Sequence, residues 1–278
     1  MRKDCIAITK FFYWLENILK NQIITEYDAE IKLENFRKEM DKYIAPSFRS
    51  ISAYGVNAAM MHYSADPKNS TQLESKGMYL IDSGGHYLDG TTDITRTIAL
   101  GNVTNEEKKA FTLTLKGIIQ LSEISFLKGS TGANLDILCR QFLWNEYIDY
   151  KCSTGHGVGF YLNIHEGPQN FSQHNTTQPM ELGMITTIEP GVYIKGKYGL
   201  RIENMLLTAF DKKNEWGEFY KFETLTFLYI DKNLIDKKLL SESEINWINT
   251  YHSKTYKLLS PNLTNAEKKW LKKKTEKL

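Results

Sequence analysis

Apolar side chains recur at helical spacing through the first forty residues of this 278-residue chain. The positions that define the first amphipathic helix are Ile8, Phe11, Phe12, Leu15, Ile18 and Leu19. A second helix is predicted to begin after Thr25, where Asp28 completes a weak capping box, and to continue to Met40. Segments rich in β-branched residues then predict strands over 78–84 and 92–100.

The same order of helices and strands then occurs a second time. Thr104 and Glu107 form a capping box ahead of a helix predicted over 105–127, and another helix is expected over 133–149. The strands predicted in this second block are 183–194, 200–210 and 223–230. The last ~45 residues have a helical pattern.

Helices followed by strands, occurring twice, predict an α+β fold with two similar halves. Because no low-complexity linker separates the halves, residues 1–230 are predicted to form one large domain. Residues 231–278 are predicted to form a C-terminal extension packed on that domain. Apolar residues make up 41% and charged residues 24% of the chain, which indicates a globular protein with a substantial core.

Charge and cysteine content narrow the class of protein. The net charge of +2 is too small to indicate a nucleic-acid partner. Cys5, Cys139 and Cys152 show no paired spacing, which favours a reducing compartment. Lys10 and Glu16 interrupt the N-terminal apolar run, and no stretch approaches the ~20 apolar residues of a membrane span. We therefore expect a soluble cytoplasmic protein with no nucleic-acid or membrane partner.

Acidic residues occur inside the strand blocks, where a solvated carboxylate is not expected. They are Asp82 in YLIDSGG, Asp93 in TTDITRT, Glu189 in TTIEPG and Glu203 in LRIEN. A buried carboxylate is costly unless it is paired or bound to a metal, and only Arg96 and Arg201 lie in these blocks. Two divalent ions would balance four carboxylates, and His156 would add an imidazole to oxygen ligands that suit Mn²⁺, Co²⁺, Fe²⁺ or Zn²⁺ better than Ca²⁺.

Each of these residues has a simpler interpretation when it is considered alone. A single acid is compatible with a structural salt bridge, and His156 is compatible with a satisfied core or loop histidine. Those interpretations need a separate explanation for every residue, whereas one metal centre explains the whole pattern.

Four segments carry a resemblance to a known family. They are IDSGGHYLDGTTDITRT, TGHGVGFYLNIHEGP, TIEPGVYI and GLRIEN. They resemble the signature blocks of aminopeptidase P, the X-Pro aminopeptidase of the pita-bread metallopeptidase group. The gaps between the two aspartates and between the two glutamates fit too, and the short second gap resembles the cytosolic, eukaryotic-like branch. MMHYS and the tail LSESEINWINTYHSKTYKLLSP also match, so the resemblance covers nearly the whole chain.

The resemblance implies a role for each acidic residue in a dinuclear centre. Asp82 would hold one ion, and His156 and Glu189 would hold the other. Asp93 and Glu203 would bridge both ions. Mn²⁺ is the first expectation for the metal, with Co²⁺ or Zn²⁺ as alternatives.

The resemblance also implies an activity. Hydroxide generated at the metal pair would release the N-terminal residue from peptides with proline at the second position, and Glu189 would transfer the proton to the leaving nitrogen. His62 and His165 would contact the substrate, and His165 would stabilise the oxyanion. Arg201 and Tyr193 would support the site. A peptide is thus the expected partner, and the family's oligomer contacts leave a homodimer open.

Two features depart from the family pattern. Cys152 occupies a position where the related branch has a histidine, so activity or substrate preference is expected to differ. The resemblance also implies N-terminal domains ahead of the catalytic one, whereas the first predicted helix of this sequence is expected to belong to the catalytic domain itself. Two alternatives therefore stay open: a prolidase that acts on X-Pro dipeptides, and a weakly active peptide-binding relative.

Overall fold

The computed structural model describes residues 1–174 and 177–278, which form helices packed against antiparallel sheets. The helices are α1 (Arg2–Ile18), α2 (Glu26–Lys38), α3 (Asn105–Ser122), α4 (Gly132–Trp144), α5 (Glu242–Leu259) and α6 (Asn265–Lys274). The strands of the first half are β1 (Tyr43–Pro46), β2 (Ile51–Tyr54), β3 (Met78–Ser83), β4 (Gly85–Tyr87), β5 (Gly90–Thr91) and β6 (Ile94–Ala99). The later strands are β7 (Ser125–Leu127), β8 (Gly155–His156), β9 (Asn170–Phe171), β10 (Ile185–Ile188), β11 (Gly191–Ile194), β12 (Tyr198–Arg201), β13 (Asn204–Asn214) and β14 (Gly217–Thr224).

The helix starts follow the capping signals in the sequence. The Thr25 hydroxyl accepts a hydrogen bond from the Asp28 amide at 3.1 Å, and Asp28 reaches back to the Thr25 amide. Thr104 and Glu107 make the same reciprocal pair at the start of α3. Each box satisfies amide groups that the first helical turn leaves without a partner. The predicted helix starts at these two sites are therefore confirmed.

Several predicted boundaries are wrong; the helix expected over 133–149, for example, ends at Trp144. Two of the errors have a tertiary cause. The helix predicted over 105–127 ends at Ser122, because residues 125–127 form β7 and pair with β14. The strand predicted over 223–230 ends at Thr224. Beyond it, side chains rather than a neighbouring strand satisfy the backbone: Arg96 donates to the carbonyls of Leu228 and Tyr229.

Each half of the molecule has its own sheet and its own apolar core. The first sheet consists of three strands in the order β2-β3-β6, and the second consists of four strands in the order β10-β13-β14-β7. α1 and α2 bury residues such as Phe11 and Leu33 in the first core, and α3 and α4 bury residues such as Leu115 and Leu143 in the second. The predicted α+β class is confirmed. In the described residues, no helix is long and apolar enough to cross a membrane.

The C-terminal segment contacts both cores. Ile248 and Tyr251 of α5 belong to the core of the second half, whereas Leu259 and Leu271 belong to the core of the first half. His252 of α5 is fully buried, and its Nε2 accepts a hydrogen bond from the Ile230 amide at 3.1 Å. The domain boundary at residue 230 stays a prediction.

We expect His252 to make the folded state less stable in mild acid. Burial, with a contribution from Lys232, lowers the pKa of His252 from its ordinary 6.5 to about 4. The unfolded chain therefore binds one more proton between these pH values, so the stabilisation present above pH 6.5 is lost as pH falls towards 4. The loss amounts to about 3 kcal/mol at ~1.4 kcal/mol for each pH unit.

The variant His252→Gln keeps an acceptor for the Ile230 amide but cannot be protonated in this range. Urea unfolding at pH 7 and pH 4.5 should show a clearly smaller loss of unfolding free energy for the variant than for the wild type. Equal losses in both proteins would contradict this account.

Candidate metal centre

Strand pairing brings together four acids that are far apart in sequence. In the first sheet, Asp82 at the end of β3 lies opposite Thr95 of β6, and Asp93 immediately precedes β6. In the second sheet, β10 pairs with β13. Glu189 directly follows β10 and Glu203 directly precedes β13, so the two residues lie at the same end of this strand pair. Each sheet thus presents two carboxylates at the junction between the halves.

Thr95 joins the two sheets at this junction. Its carbonyl accepts a hydrogen bond from the Glu203 amide at 3.1 Å, and its hydroxyl donates to Glu203 Oε2 at 2.9 Å. Two residues further along β6, the Thr97 hydroxyl donates to the Arg201 carbonyl at 2.9 Å. These bonds fix Glu203 of the second half against the strand that follows Asp93.

His156 directs one ring nitrogen at the acids. Its Nδ1 lies 2.9 Å from the Gly157 carbonyl, which can only accept, so Nδ1 carries the proton. In the neutral ring, Nε2 then presents a lone pair to Asp93 Oδ2 at 3.4 Å and to Glu189 Oε1 at 3.5 Å. Ligand atoms of Asp93, His156 and Glu203 all lie within 4.8 Å of one another. This tautomer is the one that a metal-binding histidine uses.

The glycines on either side of His156 are required by neighbouring backbone. A Cβ at Gly155 would lie 1.9 Å from the Thr187 carbonyl oxygen, and a Cβ at Gly157 would lie 2.0 Å from that of Glu166. Glycine at both positions therefore allows the close packing of β8 against the chain on both sides.

A buried cation holds the segment that leads into His156. Arg140 of α4 pairs with Asp136 and donates to the carbonyls of Tyr150 at 2.7 Å and Cys152 at 2.6 Å. The Thr154 carbonyl then accepts the Glu189 amide at 2.7 Å. The orientation of Glu189 therefore depends on an ion pair that the sequence analysis did not identify.

Burial and mutual repulsion disfavour the ionised forms of Asp93, Glu189 and Glu203. Burial, with the charges of Asp82 and Glu189, raises the pKa of Asp93 well above its usual value. Burial and the charge of Asp93 do the same to the pKa of Glu203, and burial raises the pKa of Glu189. Four ionised carboxylates carry −4, and Arg201 beside them offsets one charge, so −3 would remain.

The arrangement fits divalent metal ions. Among the described residues, Asp82 Oδ1 and Glu203 Oε1 are buried side-chain atoms without a hydrogen-bond partner. Such atoms are rare in folded proteins unless a water or an ion satisfies them. The lone pair of His156 Nε2 also faces carboxylate oxygens, which is repulsive without a cation between them. Oxygen donors with one imidazole suit Mn²⁺, Co²⁺ or Zn²⁺.

Arg201 fixes the orientation of Asp82. Its Nη2 donates to Asp82 Oδ2, and its Nη1 donates to the Tyr193 hydroxyl at 2.7 Å. Although burial alone would lower it, the pKa of Arg201 is raised well above its usual value by Tyr193, Asp82 and Glu189. The guanidinium therefore stays charged, and Asp82 is left with one oxygen free to bind an ion.

A cavity of about 500 Å³ opens above these residues. The sequence-predicted site residues that line it are His62, Asp82, Asp93, His156, His165, Glu189, Tyr193 and Arg201. The His165 ring stands edge-on to the His156 ring, with centroids 4.1 Å apart. Burial, with the charges of His156 and His62, lowers the pKa of His165. His62 and His165, the two residues expected to contact the substrate, thus lie beside the acids. Glu203 is buried among the same acids.

The sequence analysis missed the apolar wall of the cavity. Phe48, Ile51, Met61 and Ile164 line it together with the exposed Lys151. Met61 and Ile164 adjoin His62 and His165 in sequence, which is a signal that could have identified them. Nothing in the sequence marks Phe48, because its place in the cavity depends on the path of the chain between β1 and β2.

Cys152 also lines the cavity. Burial and the charge of Glu189 raise the pKa of its thiol to about 11. The thiol is therefore protonated at neutral pH, and a protonated thiol is a poor nucleophile.

Comparison with known proteins identifies the family. The model of metallopeptidase family M24 matches residues 1–209, and the model of the C-terminal region of peptidase M24 matches residues 218–278. The chain is 44% identical over 284 residues to a probable Xaa-Pro aminopeptidase P of Paracoccidioides brasiliensis. It is 42% identical over 283 residues to the one of Aspergillus niger. Each match covers 99% of this chain and 46% of the relative, so the chain spans about half the length of these proteins.

Solved structures with the same fold include aminopeptidases and prolidases. The X-prolyl aminopeptidase of Caenorhabditis elegans, described as a cytosolic enzyme with a di-nuclear active site, superposes with a TM-score of 0.95 at 38% identity. That match covers 100% of this chain and 46% of the other. The prolidase of Pyrococcus furiosus gives a TM-score of 0.65 at 28% identity, covering 80% and 61%. The predicted pita-bread fold is confirmed, and the chain belongs to metallopeptidase family M24.

Proposed function

We propose that this chain is a metal-dependent aminopeptidase that releases the N-terminal residue from peptides with proline at the second position. One observation carries the proposal: ligand atoms of Asp93, His156 and Glu203 converge within 4.8 Å, next to a cavity that also contains His62 and His165. The names of the similar proteins support the X-Pro specificity. The cytosolic description of the nematode enzyme supports a cytoplasmic location, and a homodimer stays an expectation.

We assign five residues to two divalent ions, with Mn²⁺ first and Co²⁺ or Zn²⁺ as alternatives. They are Asp82, Asp93, His156, Glu189 and Glu203. When bound, such ions supply a nucleophile from water at neutral pH and polarise the carbonyl that it attacks. The di-nuclear site of the nematode enzyme supports the number of ions.

Glu189 and His165 are the residues best placed to handle protons. The Glu189 side chain is 22% exposed, lines the cavity, and has a pKa that burial raises. It can therefore hold a proton and deliver it to the leaving nitrogen. His165 has a lowered pKa and is neutral at pH 7, so its N–H group can donate a hydrogen bond to the oxygen on which charge develops.

The apolar wall is suited to proline. The proline nitrogen in an X-Pro bond has no N–H group, and the ring fixes φ, so an apolar surface of the right shape recognises it better than a hydrogen-bond acceptor does. Phe48, Ile51, Met61 and Ile164 offer such a surface. His62 and Tyr193 border the same cavity and are the candidates for polar contacts to the substrate.

Replacement of Asp93 or Glu203 by alanine should abolish metal-dependent release of the first residue from an X-Pro-Y peptide. We expect kcat/KM with Mn²⁺ to fall at least about 1000-fold, which corresponds to ~4 kcal/mol of transition-state stabilisation. The matched control is Glu106→Ala, which removes an exposed carboxylate of α3. Unchanged activity in the Asp93 or Glu203 variant would refute the assignment.

The same assay separates the alternatives. Turnover of X-Pro dipeptides without turnover of X-Pro-Y peptides would identify a prolidase. Two bound ions without turnover, even on long peptides, would identify a peptide-binding relative.

The variant His165→Ala removes the N–H donor and should lower kcat by about 100- to 1000-fold, because one oxyanion donor is worth ~3–4 kcal/mol. KM should change much less, since this hydrogen bond strengthens as charge develops on the oxygen. His174→Ala, at an exposed histidine, is the control. A rise in KM at constant kcat would instead show that His165 contributes to substrate binding and not to stabilisation of the transition state.

Asp93→Asn should stabilise the protein in chelator and remove its response to metal. The asparagine amide is neutral, so the variant has one negative charge fewer among the buried acids. The melting temperature in chelator should therefore rise by a few degrees, since each kcal/mol of unfolding free energy corresponds to about 2–4 °C. Mn²⁺ at 100 times its Kd should stabilise the wild type by about 2.7 kcal/mol. Thermal unfolding with and without Mn²⁺ measures both effects. Equal Mn²⁺ responses in wild type and variant would show that Asp93 binds no ion.

A further inference from the structure

Arg96 is a buried cation that the proposed reaction does not use. It is 2% exposed, and among residues 1–174 and 177–278 no carboxylate oxygen forms an ion pair with it. A buried charge without a counter-ion is costly unless hydrogen bonds satisfy it fully. Its hydrogen-bond acceptors are the carbonyls of Thr95, Glu203, Leu228 and Tyr229, Asn204 Oδ1 and the Tyr251 hydroxyl.

The guanidinium lies directly behind Glu203. Nη1 of Arg96 donates to the Glu203 carbonyl at 2.5 Å and to the Thr95 carbonyl at 2.9 Å. The Thr95 carbonyl also accepts the Glu203 amide at 3.1 Å. Both the N–H and the C=O of Glu203 are therefore fixed, and the direction of its side chain towards Asp93 and His156 follows from that.

The C-terminal segment completes the environment of Arg96. Nη2 of Arg96 lies 2.8 Å from the Tyr251 hydroxyl, which also accepts the Leu228 amide at 3.2 Å. The Tyr251 ring stacks with Trp247, with centroids 5.1 Å apart, and with Phe227, with centroids 5.6 Å apart. Helix α5 thus supplies an oxygen whose position is set by the packing of its ring.

We propose that Arg96 and Tyr251 are positioning residues for the metal centre, so that the C-terminal segment contributes to metal affinity through Tyr251, Arg96 and Glu203. The inference rests on the proposed function, because it treats Glu203 as a ligand. Loss of the Tyr251 hydroxyl removes one acceptor from a fully buried cation. Of its described acceptors, Nη2 then keeps Asn204 Oδ1 and the Leu228 carbonyl, and the Leu228 amide loses its acceptor. We expect the guanidinium to shift with Leu228, and the Glu203 carbonyl that is bonded to it to shift as well. Residues that hydrogen-bond a metal ligand change metal affinity in this way.

The test measures Mn²⁺ binding to the full chain by isothermal titration calorimetry. Tyr251→Phe keeps the aromatic stack and removes only the hydroxyl, and we expect a Kd about 5- to 10-fold weaker. Arg96→Lys keeps the charge and loses the planar fork, and we expect a loss of about 10- to 100-fold. The control is His252→Gln, the next residue of α5, which contacts Ile230 and not Arg96, and whose Kd should stay within about twofold of wild type.

Melting temperatures measured in chelator show whether a weaker Kd comes from a displaced Glu203 or from a general loss of stability. A weaker Kd in Tyr251→Phe than in a His252→Gln protein of similar melting temperature supports the inference. Equal Kd values in the two, or a Tyr251→Phe value equal to wild type, would overturn it while leaving the proposed function standing. A wild type that binds no Mn²⁺ would overturn both. If Arg96→Lys does not fold, Tyr251→Phe alone decides.

Discussion

Four carboxylates, two from each half of the molecule, are held together in a buried site where one arginine offsets only one of their charges. Repulsion and loss of hydration favour the protonated forms of Asp93, Glu189 and Glu203, and the raised pKa of each of these acids expresses this cost. Divalent cations would remove both problems at once. The junction between the halves is therefore the part of the fold that bound metal ions are expected to stabilise most.

The scaffold holds these acids with groups that carry no negative charge. Thr95 connects the two sheets by bonding the backbone and the side chain of Glu203, and Arg96 bonds the carbonyl of the same residue. On the other side, Arg140 fixes the segment before His156 through carbonyl oxygens. Because Arg96 and Arg140 bind backbone carbonyls, they leave the carboxylate oxygens available, whereas cations bound directly to the carboxylates would compete with a metal. Arg201 is the exception: it occupies one oxygen of Asp82 and lies 3.8 Å from Glu189 Oε2.

The cavity above the acids combines two kinds of surface. Its floor is polar and charged, which suits the reacting bond, and its wall is apolar, which suits a side chain without hydrogen-bonding groups. Cys152 lies in this cavity with a protonated thiol. A thiol is a weaker hydrogen-bond donor than an imidazole, and the expectation that this position changes the rate or the substrate preference stays a prediction.

The sequence by itself determined the local features. Capping boxes at Thr25 and Thr104 identified two helix starts, because a cap depends on residues three positions apart. Carboxylates between β-branched neighbours identified the acids, because strand burial is a local pattern. Only the tertiary structure decided what surrounds them. Arg96 hydrogen-bonds Tyr251 across 155 residues, and residues 226–230 lie outside the sheet, where side chains such as those of Arg96 and Tyr251 bond their backbone. Packing of the whole chain determines these contacts, and they cannot be inferred from the periodicity of a local segment.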